Sequence, residues 1–204
     1  MQPSPAMESA LARNRTALAA LGCWLGFAAL AVAAQTGALA QLDAAGLRLW
    51  RGGPDLAAIG PDWLTRFMLG ATYLGDAALR FTPLALAAAL LAWRRRWQRI
   101  ALLGAAALPA GAINSAMKGW FGRPRPDFLP HLAPAGGLSF PSGHAFGAAT
   151  AYLALALVLA PGARRGDAAL LGAALALAGL VAFTRVWLGV HYPKIGRASC
   201  RERV

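Results

Sequence analysis

The chain alternates between long apolar runs and short polar segments, as membrane proteins with several spans do. A membrane-spanning helix needs about 20 predominantly apolar residues. Four runs approach that length. A fifth run is shorter, and it reaches that length only if the preceding stretch is helical and continues into the run. The long runs are Ala17–Ala40, Ile100–Met117, His144–Pro161 and Ala168–Val186, and the shorter is Phe81–Trp93, preceded by Leu64–Leu79. We therefore expect an all-α, polytopic transmembrane helical bundle with about five spans.

Composition supports a membrane protein, since 58% of the 204 residues are hydrophobic and only 14% are charged. The net charge of +12 would indicate nucleic-acid binding only if it gathered on one soluble face. The arginines instead form short clusters between the apolar runs, at Arg13 and Arg15, at residues 94–96 with Arg99, and at Arg164 and Arg165. We therefore expect no nucleic-acid partner.

These clusters also orient the chain, because positively charged loops remain in the cytoplasm. When the five runs are laid end to end, all three clusters lie on the same side. The amino terminus is then cytoplasmic, and residues 41–61, residues 119–141 and the chain after Trp187 lie outside. We expect a multi-pass protein of the inner (plasma) membrane. The first run has an alternative interpretation as a signal peptide cleaved after Ala38-Leu39-Ala40, which would leave the other spans in place.

Three polar clusters stand at the ends of the apolar runs. They are KGWFGRPRP at Lys118–Pro126, FPSGH at Phe140–His144 and TRVWLGVHYP at Thr184–Pro193. The topology derived from charge places all three on the outer face, at helix ends that can converge. That arrangement is typical of an active site.

The residue types in these clusters suit phosphoryl chemistry. Lys118, Arg125 and Arg185 would bind a phosphoryl group and stabilise its charge. Backbone N–H groups at Ser142 and Gly143 would favour an anion at the start of the next helix. No metal or other cofactor is needed, because the cations supply the positive charge and the chain has no cluster of carboxylates to hold a metal.

The two histidines cover the remaining roles. One of His144 and His191 would attack phosphorus, and the other would protonate the departing oxygen. Each residue also has a structural interpretation, such as a cation at the membrane interface or a ring at a helix end. The joint spacing of the three clusters argues against that interpretation.

The spacing resembles the three-part signature of the type 2 phosphatidic acid phosphatase family, which shares its site with vanadium haloperoxidases. The signature here reads Lys118, six residues, Arg125-Pro126; then Pro141-Ser142-Gly143-His144; then Arg185, five residues, His191. The resemblance implies that His191 is a nucleophile forming a phosphohistidine and that His144 is the acid. It implies a phosphate cradle made of Lys118, Arg125, Ser142, Gly143 and Arg185. Thr184 stands where the family commonly has Ser.

The function that the resemblance implies is a metal-independent membrane lipid phosphatase. Its substrate would be a lipid phosphomonoester or diphosphate, such as phosphatidic acid, phosphatidylglycerophosphate or an isoprenoid diphosphate. Two alternatives remain, a vanadate-dependent haloperoxidase that uses the same cradle and a non-catalytic membrane protein that binds anionic lipid. The residues leave the lipid and the oligomeric state open.

The end of the chain departs from the family. The third motif normally reaches an aspartate that orients the nucleophilic histidine, and Ile195 stands at that position. The sequence IGRASCRERV at Ile195–Val204 resembles translated sequencing adapter. We therefore expect a polar start at residues 1–16, a membrane phosphatase domain at residues 17–193 and a non-native tail at residues 194–204. A missing sixth helix and impaired activity would follow, and a genuine divergent terminus is the alternative.

Overall fold

The computed structural model describes residues 5–36, 38, 40–160 and 165–192, and these are mostly helical. The helices are α1 Pro5–Thr36, α2 Ala40–Arg48, α3 Asp62–Thr72, α4 Ala77–Trp93, α5 Trp97–Ala107, α6 Ala110–Phe121, α7 Gly143–Leu159 and α8 Arg165–Trp187. Strands β1 (Arg51–Gly52) and β2 (Ala57–Ala58) form a short antiparallel pair. The predicted all-α class is confirmed. The tail predicted at residues 194–204 lies outside the described residues.

Fewer helices are long and apolar enough to cross a membrane than the sequence predicts. Among the described residues, Trp97–Phe121 and Gly166–Trp187 are long and apolar enough to cross a membrane, with 25 and 22 residues. Asp62–Gly75 and Ala77–Trp93 would make a third span if counted together, although they are bent by 50° at their break. Ala20–Ala33 and Gly143–Leu159 are apolar but shorter. The described chain therefore supports two or three spans, and the expected five are not confirmed.

The site residues all lie in one compact unit, Ala44–Pro193, while residues before Ala44 belong to another unit. Within Ala44–Pro193, α7 is the central helix and packs against α4, α5 and α8. Small side chains such as Ala148, Ala151 and Ala156 line these contacts and are almost fully buried. Small residues let membrane helices approach closely. The close packing brings the ends of the helices together.

The bend between α3 and α4 is centred on Asp76. This residue is extended, with φ −74° and ψ 153°, between a 3₁₀ turn at Tyr73–Gly75 and the start of α4. An aspartate at this position usually caps the helix through its side chain, but Asp76 makes no such bond. Its carboxylate reaches α7 instead. The sequence predicts a helix through this region, and nothing in its pattern indicates the break.

Gly122 ends α6 and starts the loop of residues 122–142. It has a left-handed conformation, with φ 57°, and its N–H bonds to the carbonyl oxygen of Lys118 at 2.9 Å. Glycine adopts this conformation readily and commonly ends helices. Further along, the N–H of Ser139 donates to the carbonyl of Arg123 at 2.8 Å, and its hydroxyl donates to the carbonyl of Pro124 at 2.6 Å. The loop is thereby folded back on itself beside the end of α6.

Candidate active site

A turn after α8 returns His191 to the helix end. Gly189 at this turn has φ 73°, and a Cβ there would meet the side chains of Leu129 and Arg51. Both the conformation and the space therefore require glycine. Beyond the turn, the N–H of His191 donates to the carbonyl oxygen of Arg185 at 3.1 Å. The five residues between Arg185 and His191 thus place the two side by side.

The ring of His191 is held at both nitrogens. Nδ1 lies 2.6 Å from the carbonyl oxygen of Ser139, and Nε2 lies 3.0 Å from Nη1 of Arg125. A carbonyl oxygen only accepts and a guanidinium only donates, so the proton is on Nδ1 and the lone pair is on Nε2. The ring is therefore a neutral imidazole with its free nitrogen toward a cation.

The surroundings of His191 keep its imidazole ring neutral. His191 is only 5% exposed. Burial, reinforced by the positive charges of Arg125 and Arg185, lowers the pKa of His191 from 6.5 to about 2, while the bond to Ser139 opposes the shift. Low-dielectric surroundings and neighbouring cations both disfavour a charged imidazolium. At neutral pH the nitrogen that faces Arg125 has its lone pair available.

The three predicted cations surround this nitrogen. Arg125 is fixed by backbone carbonyls, with Nη2 donating to Gly136 at 2.8 Å and Nη1 to Val190 at 2.7 Å. Arg185 is 4% exposed and donates from Nη1 to the hydroxyl of Thr72 at 2.9 Å. The charge of Lys118 is close enough to interact with both arginines. The structure therefore brings the cations of the first and third motifs to one place.

Ser142 and Gly143 occupy the start of α7, as predicted. Ser142 is the N-cap, and its hydroxyl oxygen accepts a bond from the N–H of Ala145 at 3.4 Å. A Cβ at Gly143 would lie 3.4 Å from Oδ1 of Asn114 on α6. The absence of a side chain at Gly143 therefore lets α6 and α7 approach closely at this end.

His144 lies in the first turn of α7 and is paired with a carboxylate. Its Nε2 is 2.7 Å from Oδ1 of Asp76, at the break between α3 and α4. The positive charge of Arg185 also acts on this ring, as it does on His191. Both histidines therefore lie within the field of one guanidinium. The bond to Asp76 occupies Nε2, so Nδ1 is the ring nitrogen that remains for a substrate.

Three residues that contact the predicted side chains were missed by sequence reasoning. Asp76 and Thr72 belong to the α3–α4 region and bond to His144 and Arg185. Asp76 did carry a signal, because a carboxylate inside an apolar stretch is expensive and usually functional. Ser139 carried none, because it contributes a backbone carbonyl.

Other polar residues of the motifs have structural contacts. The hydroxyl of Thr184 bonds to the carbonyl of Val181 in its own helix at 2.7 Å. The guanidinium of Arg123 lies 3.7 Å from the centre of the Tyr192 ring. Nε2 of His131 lies 2.6 Å from the carbonyl oxygen of Pro126. These contacts stabilise the loop and the helix end around the cluster.

Known proteins are similar to this chain in sequence and in fold. The chain is 33% identical to phosphatidylglycerophosphatase B of Bacillus subtilis over 137 residues, which cover 64% of this chain and 65% of that protein, slightly less than two thirds. Its fold is similar to the crystal structure of the transmembrane PAP2 type phosphatidylglycerolphosphate phosphatase from Bacillus subtilis, with a TM-score of 0.70, 29% identity and 84% of each chain covered. It is also similar to LpxE of Aquifex aeolicus, with a TM-score of 0.50, 27% identity, 66% of this chain covered and 77% of that chain.

The family model that matches this chain is described as the PAP2 superfamily, and it matches residues 98–194. That range contains all three motifs, whose side chains the fold brings to one end of the helices. Together with the apolar helices, the transmembrane relative identifies an integral membrane protein. The chain is therefore similar to the PAP2 superfamily in sequence over residues 98–194 and in fold.

Proposed function

We propose that this chain is a membrane lipid phosphatase that hydrolyses a lipid phosphomonoester or diphosphate through a phosphohistidine at His191. The observation that carries the proposal is the state of this ring. It is neutral, its Nδ1 is held by the carbonyl of Ser139, and its lone pair on Nε2 faces Arg125. The names of its relatives, phosphatidylglycerophosphatase B and a phosphatidylglycerolphosphate phosphatase, support the same reaction class.

The first step forms a bond between Nε2 of His191 and phosphorus. An arriving phosphoryl group accepts hydrogen bonds from Arg125, which then no longer occupies the lone pair of Nε2. Lys118 and Arg185 stabilise the charge on the equatorial oxygens. The N–H groups at the start of α7, at Ser142 and Gly143, add to this stabilisation through the helix dipole.

The second role is proton transfer at the leaving oxygen. His144 acts here as an imidazolium, because its Nε2–H is bonded to Asp76, and it donates the proton on Nδ1 as the bond between phosphorus and that oxygen breaks. The carboxylate of Asp76 holds the opposite nitrogen and thereby fixes the ring. Water then attacks the phosphohistidine, His144 accepts a proton from that water, and inorganic phosphate is released with His191 restored.

The reaction takes place on the periplasmic or extracellular face in this proposal. The arginine clusters at residues 94–96 and 164–165 fall in the connections opposite to the cluster of site residues along the predicted topology. The lipid head group would then enter from the outer leaflet. We propose an inner-membrane location with the amino terminus in the cytoplasm.

The proposal is tested by a phosphate-release assay on the purified chain in detergent, together with rapid quenching of a ³²P-labelled lipid phosphate. Wild-type protein should release phosphate and retain label that is stable to alkali and labile to acid, as expected for a phosphohistidine. His191→Asn should lose about a thousandfold or more of the rate and all of the label. His131→Asn, which removes an exposed loop ring, is the matched control and should retain both.

Retained phosphate release in His191→Asn, with an unchanged thermal midpoint, would overturn the proposal and favour a lipid-binding protein without catalysis.

The same assay addresses Ile195, which lies outside the described residues. A charged acceptor orients a histidine more strongly than a neutral carbonyl does. We therefore propose that the present chain is impaired and that Ile195→Asp releases phosphate faster than it does.

A further inference from the structure

A cavity of about 290 Å³ adjoins His144 and meets the phosphate cradle at Gly143. Its walls come from the start of α4, from α6 and from α7. The polar groups on these walls belong to Asp76, Arg80, Asn114, Ser115 and His144. None of the cradle cations Lys118, Arg125 and Arg185 lines it, and neither does His191. The proposed mechanism gives no role to most of this polar lining.

Arg80 is the cation among the residues that line this cavity, and the charge of Asp76 acts on it without a direct ion pair. Its buried Nε has no hydrogen bond within the described part of the chain. Asp76, one turn earlier, is bonded to His144, and no ion pair among the described residues joins Arg80 to a carboxylate. An ionised side chain inside a membrane helix is expensive unless it is paired, and it usually marks a substrate path.

The fold makes room for this guanidinium. Gly147 on α7 lies directly against it, and a Cβ at that position would collide with Nη1 and the central carbon of Arg80. Gly147 is also buried and lines the cavity. The guanidinium is therefore seated against α7 at the cavity wall rather than extended toward the helix end. That placement suits a ligand inside the cavity.

The position of His144 shows which part of a substrate would fill the cavity. In phosphoryl transfer the attacking and leaving groups lie roughly in line on opposite sides of phosphorus. The acid must touch the leaving oxygen. Because His144 is the proposed acid and lines the cavity, the remainder of the leaving group continues into the space that contains Arg80.

We propose that this cavity is a second phosphate subsite, in which Arg80 binds a phosphoryl group carried by the leaving half of the lipid. The inference rests on the proposed function and deepens it. It assigns the substrate to lipids with two phosphoryl groups, either a diphosphate or a phosphomonoester joined to a phosphodiester. A guanidinium binds either group through paired N–H donors. Phosphatidic acid has no second phosphoryl group and would leave Arg80 unpaired.

An apolar groove of about 250 Å³ continues from this subsite between α4 and α5. A narrow gap of about 10 Å³ lies between the cavity and the groove. Arg80 and Ala110 line both the gap and the cavity, and Phe81 and Ala107 line both the gap and the groove. The groove has almost no polar surface. Its occupant in this proposal is the hydrocarbon of the same lipid, attached directly beyond the second phosphoryl group.

The test compares three substrates in detergent micelles: phosphatidic acid, phosphatidylglycerophosphate and farnesyl diphosphate. Arg80→Gln should lower kcat/KM for the two substrates with a second phosphoryl group by about 10- to 100-fold, since a charged hydrogen-bonding partner is lost. The value for phosphatidic acid should change less than about threefold by the same reasoning. Arg80→Lys retains the charge and should recover part of the loss. Arg66→Gln, which removes an exposed cation on α3, is the matched control and should change none of the values.

The pattern of losses separates the two chemistries. Loss with farnesyl diphosphate alone assigns the subsite to a diphosphate, and loss with phosphatidylglycerophosphate alone assigns it to a phosphodiester. An equal loss with all three substrates, or no loss with any, would overturn the inference. A thermal midpoint for Arg80→Gln measured in the same detergent identifies a folding defect.

A binding measurement keeps the inference independent of turnover. With the cradle saturated by inorganic phosphate, farnesyl phosphate should bind wild-type protein at least tenfold more tightly than it binds Arg80→Gln. Farnesol, which lacks the phosphate, should bind both equally. Tighter binding of farnesyl phosphate to wild-type protein, without phosphate release from any substrate, would overturn the proposed function and support the subsite. Equal binding of farnesyl phosphate to both proteins would overturn the subsite itself.

Discussion

His191 and His144 are the same residue type in opposite settings. The buried ring of His191 bonds to a neutral carbonyl and to the guanidinium of Arg125, whereas the side chain of His144 is 31% exposed and bonds to the carboxylate of Asp76. Burial and the charge of Arg185 lower the pKa of His144, and the carboxylate of Asp76 opposes that shift. Surroundings of this kind separate two histidines into a base or nucleophile and an acid.

The depressed pKa of His191 predicts how stability changes with pH. The unfolded ring takes up a proton below its ordinary pKa of 6.5, whereas the folded ring does so only near 2. Because the unfolded state binds more protons in this window, the free energy of unfolding falls as the pH drops below 6.5, by up to about 1.4 kcal/mol per pH unit from this group. Thermal midpoints in detergent between pH 7 and pH 4 should therefore fall less steeply in His191→Asn. An identical slope in that variant would contradict the neutral buried ring.

Asp76 is expected to act as a positioning residue for His144. Asp76→Asn should lower kcat on a lipid phosphate by about 10- to 100-fold, because the ring loses its charged partner. The loss should be much smaller with p-nitrophenyl phosphate, whose leaving group departs without a proton. Asp62→Asn, which removes an exposed carboxylate at the start of α3, is the control and should change neither rate. Equal losses on both substrates would indicate a structural role for Asp76 instead.

At the scale of helices, the site depends on close contacts around the break between α3 and α4. The 3₁₀ turn at Tyr73–Gly75 packs directly against α7 and α8. A Cβ at Gly75 would lie 2.8 Å from Cβ of His144 and 2.8 Å from Cγ1 of Val181. The turn thus determines where His144 lies relative to the end of α8, which carries Arg185.

Gly75→Ala is therefore expected to damage both stability and catalysis. Overpacking a tight contact typically costs about 1 to 3 kcal/mol, and displacement of His144 should lower kcat. Gly70→Ala is the matched control, since no atom lies within 4 Å of a Cβ there. It should be neutral or stabilising by up to about 1 kcal/mol, because alanine favours helix more than glycine does. Thermal midpoints and phosphate release measured on both variants check this, and wild-type values for Gly75→Ala would refute the contact.

At the scale of the whole molecule, the proposed orientation in the membrane rests on the distribution of positive charge. The residues of the three motifs meet at one end of the compact unit, and the arginines at positions 94–96 lie in the turn between α4 and α5. A span of α5 and α6 separates that turn from Lys118. Charge would hold the arginines in the cytoplasm, and the site would then face outward.

Cysteine labelling checks this orientation. In a background of Cys23→Ser and Cys200→Ser, Pro134→Cys introduces a thiol at an exposed position in the loop of residues 122–142, and Gln98→Cys introduces one at the start of α5. A membrane-impermeant maleimide should label the first in intact cells and the second only after permeabilisation. The reverse pattern would place the site in the cytoplasm.

The sequence by itself determined the helical class, and it predicted the resemblance to the family and the candidate residues of the three motifs. This was possible because each motif is local, with its residue types and spacing set along one helix end. The apolar runs also predicted where helices lie, since burial in lipid requires apolar side chains along a whole segment. The 50° break at Asp76 did not follow from them, because it reflects a contact with another helix.

Only the tertiary structure decided which partners the motif residues have. His191 and Ser139 are 52 positions apart, and Arg185 and Thr72 are 113 positions apart. A backbone carbonyl such as that of Ser139 is present at every residue, so no side-chain pattern could indicate it. The cavity around Arg80 likewise exists only where α4, α6 and α7 pack together. Contacts between distant segments depend on how helices pack, and a local pattern along the chain does not contain that information.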